Sequence, residues 1–321
     1  MSKAPKGFFR RRKAASSVEK AAAKLGDTPL NAGRSASAPP PAAGAPVSPP
    51  VPPPVQPASA NLTPARPAGA FNGARGSVSR RIEINHELLS AAGLISNRSE
   101  HSQIAEEFRL IKRPILLQAF EDRGGSGRAK NLIMVSSAKP GEGKTFSAVN
   151  LAMSIALERD LTVMLIDADI VHPSIPSAMG FEAELGLMDL IADESLDMSD
   201  VLLRTDVENL TVLPAGRPHH LATELFASDR MARLVADITR RYPDRIIIVD
   251  SPPILMSSIP GVLALHVGQI VFVVQAEKST QAAIDGALGL VGSCENIYLL
   301  LNKARNIGSA EKFDGYYDYY R

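Results

Sequence analysis

The sequence predicts an α/β protein: a mostly parallel sheet flanked by helices, preceded by a disordered Pro/Ala-rich N-terminal tether. Three observations carry this. A short apolar run at 132–135 and strand patterns at 162–166, Leu210–Leu213, 245–249, 269–274 and 297–301 are separated by helical patterns. Those runs show little polar alternation, as strands buried on both faces require. A glycine turn joins the first run directly to a helical pattern carrying Val149, Leu151, Ala152, Ile155 and Ala156.

That turn, in NLIMVSSAKPGEGKT (131–145), has the composition of a phosphate cradle. Gly141 and Gly143 let consecutive backbone N–H groups curl around an anion without a Cβ in the way. The helix opening at Lys144 aims its positive end at the same place. Lys144 is placed to reach β and γ phosphates, and the Thr145 hydroxyl to ligate Mg²⁺. Lys139, Pro140, Gly141, Glu142, Gly143, Lys144, Thr145 and Phe146 are the expected nucleotide contacts, with ATP and Mg²⁺ as ligands.

Ligands of a wound parallel sheet collect at the carboxyl ends of its strands. Asp250 follows the apolar run IIIV, where a carboxylate is costly unless it meets a cation or donors. Asp167 and Asp169 close the neighbouring run as Asp-Ala-Asp. One metal-side carboxylate suffices for ATP hydrolysis; a second acidic group offers an acceptor for a substrate hydroxyl proton. Asn302 ends the last run with an amide suited to a purine edge.

The remaining organisation is compositional. Residues 1–81 hold 13 Lys and Arg against 2 Asp and Glu, a net +11, whereas 82–321 carry −10. Thirteen of the 24 prolines fall between Pro29 and Pro67, so 1–81 reads as a tether without a core. Its basic cluster Phe8-Phe9-Arg10-Arg11-Arg12-Lys13 suits an anionic membrane surface, or simply solvates the tail. No nucleic-acid module accompanies it. The single cysteine, Cys294, read as part of a helical stretch, excludes an internal disulfide and fits a cytoplasmic protein; no run is long enough to span a membrane.

Residues 82–310 form the expected folded domain. It opens on a connecting segment leading into an amphipathic helix at about 102–120, which Pro114 is expected to bend or interrupt. A long helix is expected at 222–242 and another at 280–291. Residues 311–321 form a tail in which Tyr316, Tyr317, Tyr319 and Tyr320 are four of the six tyrosines in the chain. A packed aromatic strap and a set of accessible phosphate acceptors are both open readings of it.

From 82 onward the chain resembles the bacterial tyrosine autokinases of exopolysaccharide systems, nearest the cytoplasmic autokinases of exosortase loci. The resemblance rests on SSAKPGEGKT as Walker A, LIDADIVHP as Walker A′, IIIVDSPP as Walker B, LPAGRPHHLATELFAS, IAEEFRLIKR and the tyrosine tail. It implies a P-loop fold akin to the MinD and ParA ATPases, with Lys144, Asp167 and Asp169 catalytic and Thr145, Asp167 and Asp250 at the metal. It further implies trans-autophosphorylation within a ring joined through Glu106, Arg109 and Lys112, and a separate transmembrane copolymerase partner. Three places depart from the family pattern: Val171 replaces a basic residue, Lys112 stands where the ring motif has arginine, and Ile259-Pro260 stand where an acidic residue is common. The alternative reading is a MinD/ParA-like switch ATPase without kinase activity.

Overall fold

The computed structural model describes residues 11–12, 79–96, 102–120, 128–241 and 244–304. One sheet contains β1 (Arg11–Arg12), β2 (Ala129–Ser137), β3 (Thr162–Asp167), β4 (Leu203–Arg204), β5 (Leu210–Leu213), β6 (Arg245–Asp250), β7 (Val267–Gln275) and β8 (Ile297–Asn302). Their order is β1-β8-β7-β2-β6-β3-β5-β4. The six inner strands run parallel, and the two-residue strands β1 and β4 pair antiparallel at the edges.

Alternation along each strand divides the core between the two faces. Leu132 and Met134 of β2 join a cluster with α5 (Leu187–Ala192), α8 (Asp229–Arg241) and α10 (Gln281–Leu290). Ile133 and Val135 join the opposite cluster with α2 (Gln103–Ala119) and α3 (Lys144–Ala156). Both faces are covered, which explains why the sequence runs lack polar alternation. The parallel register sets Asp167 of β3 directly beside Asp250 of β6.

Several expectations need correction. Helix α2 runs unbroken through Pro114. Leu110, whose carbonyl loses its helical donor to the proline ring, is half exposed, so that carbonyl lies on the water side. The long helix expected at 222–242 is two, α7 (Ala222–Phe226) and α8. Ser228 stands at the break, donating its hydroxyl to the Leu225 carbonyl and accepting the Met231 amide. Cys294 lies in the turn after α10, buried, rather than in a helix. Ile259 and Pro260 open a short helix, α9 (Ile259–Leu263), with both side chains buried, so this apolar departure serves the core.

The segment expected to be a mere connection is part of the fold from residue 80. The Arg204 amide donates to the Arg80 carbonyl and Ile82 returns a bond to the Arg204 carbonyl. Asp206 then accepts the Ile84 amide at 3.0 Å and meets His86 Nε2 at 2.7 Å. His86 opens α1 (His86–Ala91), capped by Asn85, and the Ile95 amide donates to buried Asn150 on α3. Burial opposes the Asp206 charge, but the Ile84 amide and His86 outweigh it and hold the carboxyl below its ordinary range.

Asp206→Ala should therefore release the 80–95 segment and lower unfolding free energy by about 1–3 kcal/mol. The expected observation is an earlier denaturation midpoint in urea, with amide exchange at Ile84 accelerated first.

Candidate functional site

The loop after β2 ends in Gly143, whose φ of +99° only glycine adopts without strain. A Cβ there would overlap Asn302 Nδ2 from the end of β8. Asn302 itself donates to the Glu142 carbonyl at 2.9 Å, and Lys303 Nζ donates to the Gly141 carbonyl at 2.7 Å. Within the loop, Glu142 is buried, accepting the Lys139 amide at 2.8 Å and the Ser279 hydroxyl. Two expected nucleotide contacts are thus framework groups here. Glu142 staples the loop to its own start and to the β7–α10 connection, and Asn302 braces it rather than presenting a free amide edge. Phe146 packs its side chain against the core shared with α2 and α3. Lys139, Pro140 and Gly141 form the exposed rim.

Lys144 opens α3 and turns over the strand ends. Its Nζ lies 2.7 Å from Asp169 Oδ2 and 3.9 Å from Asp250 Oδ1. Thr145 donates to Asp250 Oδ2 at 2.6 Å and shares a 2.8 Å hydrogen bond with the Ser174 hydroxyl. Asp167 faces inward: one oxygen accepts the Asp169 amide, the other the amides of Ser174 and Ile175, at the start of α4 (Ile175–Met179). Asp169 accepts the His172 amide through its other oxygen. The loop therefore brings together Lys144, Thr145, Asp167, Asp169 and Asp250, as the sequence suggested. Ser174, seven residues past Asp167, is the group the sequence did not reveal, because a serine before a proline-containing turn carries no distinguishing signal.

Burial dominates the electrostatics. It pushes Asp250 up to about 7, with Lys144 and Thr145 pulling down and Asp167 and Asp169 pushing further up. It pushes Asp167 up to about 6 against three backbone N–H donors. For Lys144, burial works against the charge, yet Asp250, Asp169 and Asp167 outweigh it and raise its pKa. Two carboxylates face the Lys144 ammonium and a third, Asp167, lies within its field, so acidic groups outnumber the cation.

Among the described residues no group of three or more His, Cys, Asp and Glu side chains forms a self-contained metal cage. The donor set still fits Mg²⁺, which dehydrates reluctantly and is held by one or two carboxylates plus substrate phosphates. Asp250 Oδ1 is buried without a hydrogen-bond partner, and Thr145 stands on the other oxygen of the same carboxylate. Asp250 and Thr145 would hold the ion, with Asp167 beside them.

Elsewhere, α2 presents Glu106 and Arg109 as an ion pair on a partly exposed face. Lys112 is turned inward instead, donating to the Ser154 carbonyl at 2.5 Å and pairing with Glu158 at 2.6 Å. That corrects its expected place on an outward contact surface: its long stem follows the buried face of α2 onto α3. Tyr316, Tyr317, Tyr319 and Tyr320, and all but five residues (11–12 and 79–81) of the basic 1–81 segment, lie outside the described residues. No helix among the described residues is long and apolar enough to cross a membrane.

Strand, glycine loop, helix and a lysine over strand-end carboxylates define a P-loop nucleotide-binding protein. Residues 128–213 match the family model described as ParA, NUBPL iron-transfer P-loop NTPase. CapB of Staphylococcus aureus, named as a tyrosine-protein kinase, is 30% identical over 221 residues, covering 68% of this chain and 91% of CapB. Wzc of Salmonella typhimurium, also a tyrosine-protein kinase, is 26% identical over 191 residues, 59% of this chain but 26% of the longer Wzc. The kinase domain of Escherichia coli tyrosine kinase Etk superposes with a TM-score of 0.57 over 73% of this chain and 94% of that domain; at 23% identity this speaks for the fold. The chain belongs to the bacterial tyrosine-protein kinase family. Between the two sequence readings, kinase is favoured over switch ATPase.

The raised carboxyl pKa values fix a sign. Between about pH 4 and 7 the folded state binds more protons at Asp167 and Asp250 than the unfolded chain does, so nucleotide-free stability falls as pH rises through that window. Denaturation midpoints without nucleotide should decline from pH 5 to 8. Asp250→Asn should flatten much of that slope; an unchanged slope would show that Asp250 is ionised throughout.

Proposed function

We propose that this chain is an ATP-dependent protein-tyrosine autokinase that phosphorylates Tyr316, Tyr317, Tyr319 and Tyr320 of a neighbouring copy. The observation that carries the reading is the 2.7 Å pair between Lys144 and Asp169. In it the phosphate-binding cation rests on the carboxylate best placed to receive a hydroxyl proton.

The site works by positioning and charge. The backbone amides of 141–145 cradle the phosphates, and Lys144 swings from Asp169 to the β and γ oxygens. Asp169 is thereby released at the moment the γ-phosphoryl group is in place. The tyrosine oxygen attacks the γ phosphorus, the bond to the β–γ bridging oxygen breaks, ADP departs, and Asp169 takes the hydroxyl proton. Thr145 and Asp250 would hold Mg²⁺, which would supply charge neutralisation for the phosphates. Ser174 and Asp167 keep Thr145 and the Asp169 turn in register, and Ser174 is a positioning residue in this scheme.

The Glu106–Arg109 face of α2 supports a contact between copies, which trans-phosphorylation requires. Exopolysaccharide control, a transmembrane copolymerase partner, recruitment to the inner face of the plasma membrane and contact of the basic tether with anionic lipid complete the proposal. They rest on the family resemblance and on the charge of 1–81.

Lys144→Ala should abolish tail phosphotyrosine, with a loss of at least about 100-fold. Phosphopeptide mass spectrometry on protein incubated with Mg-ATP reads this directly. Asp169→Asn should retain ATP binding yet lose transfer. Phosphotyrosine at wild-type levels in either variant would remove that residue from the chemistry.

A further inference from the structure

The connection after β5 carries a feature that the phosphate loop does not use. Asp189, near the start of α5, is buried, and it accepts the amides of Gly186 at 3.0 Å and Arg217 at 3.1 Å. Its second oxygen accepts Arg217 Nε at 2.5 Å. Gly216 has a φ of +84°, and a Cβ there would overlap Asp189 Oδ2, so only glycine lets the loop close over this carboxylate. The Arg217 side chain is nonetheless 70% exposed. A buried anion thus grips the guanidinium at its inner nitrogen, while most of the side chain stays exposed.

A long exposed side chain ordinarily spreads over many rotamers, and pinning it costs conformational entropy. Here the pinning leaves a planar fork whose donor spacing matches two oxygens of a phosphate or carboxylate. Two stacked imidazoles, His219 and His220, follow in the same loop with centroids 4.7 Å apart. The nearby Asp193 carboxylate accepts the Ser195 amide and hydroxyl on one oxygen, and Arg230 and Arg217 both favour its charge.

Position gives the fork its ligand. β5 lies beside β3, with Leu213 opposite Ile166, so the fork's loop leaves the sheet at the edge that carries Asp167 and Asp169. The order β2-β6-β3-β5 puts the end of β5, four residues before the fork, one strand spacing from the acidic pair and three from the phosphate loop, roughly 5 to 14 Å across the sheet at about 4.8 Å per strand. An extended peptide advances about 3.3–3.6 Å per residue, so the four steps from Tyr316 to Tyr320 cover about 13–14 Å.

We infer that Arg217, held by Asp189, is a docking fork for a phosphotyrosine already formed on the tail of a second copy, keeping that tail engaged while a neighbouring tyrosine enters the site. This rests on the kinase reading above and adds an order of events to it: the first phosphate is the slow one, and later phosphates follow without release. A phosphate dianion carries about twice the charge of either of the tail's own Asp314 and Asp318 carboxylates, so the fork favours a tail that already holds a phosphate.

The test compares full-length wild type, Arg217→Ala and Arg217→Lys over time with Mg-ATP, counting phosphates per intact tail by mass spectrometry. Wild type should pass quickly from one phosphate to several. In Arg217→Ala the first phosphate should appear within about twofold of the wild-type rate, while later ones slow about tenfold and singly phosphorylated tails accumulate. Arg217→Lys should fall between, because an ammonium lacks the bidentate fork. Equal distributions in wild type and Arg217→Ala would overturn the inference, as would a first transfer lost as completely as the later ones. Absence of phosphotyrosine in wild type would instead count against the kinase reading. A second arm covers that case: a synthetic 311–321 peptide phosphorylated at Tyr320 should bind wild type about tenfold tighter than the unphosphorylated peptide, and Arg217→Ala should bind both alike. Equal binding to wild type would overturn the fork.

Discussion

One ammonium among three buried carboxylates is the constraint on which the rest of this structure depends. Asp167, Asp169 and Asp250 come from the ends of two adjacent parallel strands, and Lys144 is the cation that permits them to coexist. Taken alone, each buried carboxylate would be neutralised or would destabilise the sheet. Together with Lys144 they form a cluster that is still short of positive charge. That shortage makes the stability of the protein sensitive to pH. Function and marginal local stability come from the same arrangement.

The cluster needs a rigid frame, and the frame comes from parts of the chain far apart in sequence. Asn302 and Lys303 hold the phosphate loop from the end of β8, while Glu142 ties it to Ser279. On the other side, Thr145 meets Ser174, and Asp167 fixes the first turn of α4. The loop is thus clamped from both flanks. The same economy appears in the Asp189–Arg217 pair, where a buried carboxylate orders an exposed group at the sheet edge.

Much of this was legible beforehand. The glycine loop, the strand-end aspartates and the apolar runs have local signatures: backbone freedom at glycine, unbroken hydrophobicity in a doubly covered strand, and a polar residue where such a strand ends. Where reading failed, the deciding contact was distant. Asn302 looked like a base reader because its sequence neighbourhood ends a strand, yet the loop passes close enough for the Glu142 carbonyl to take its amide. Lys112 looked like a surface cation, but the rotation of α2 against α3 turns it onto Ser154 and Glu158. Residues 80–95 looked like a connection because their partners, Arg204 and Asp206, stand more than a hundred positions away.

By itself, the sequence determined the class of sheet, the phosphate loop and the identity of the acidic groups, because each depends on residues within one or two turns of one another. Only the tertiary structure decided which of those groups face a ligand and which face the protein. Side-chain direction at a strand end is set by the register of the neighbouring strand. The pairing of β3 with β6 and β5 is what sets Asp167 inward, Asp169 onto Lys144, and Arg217 at the rim.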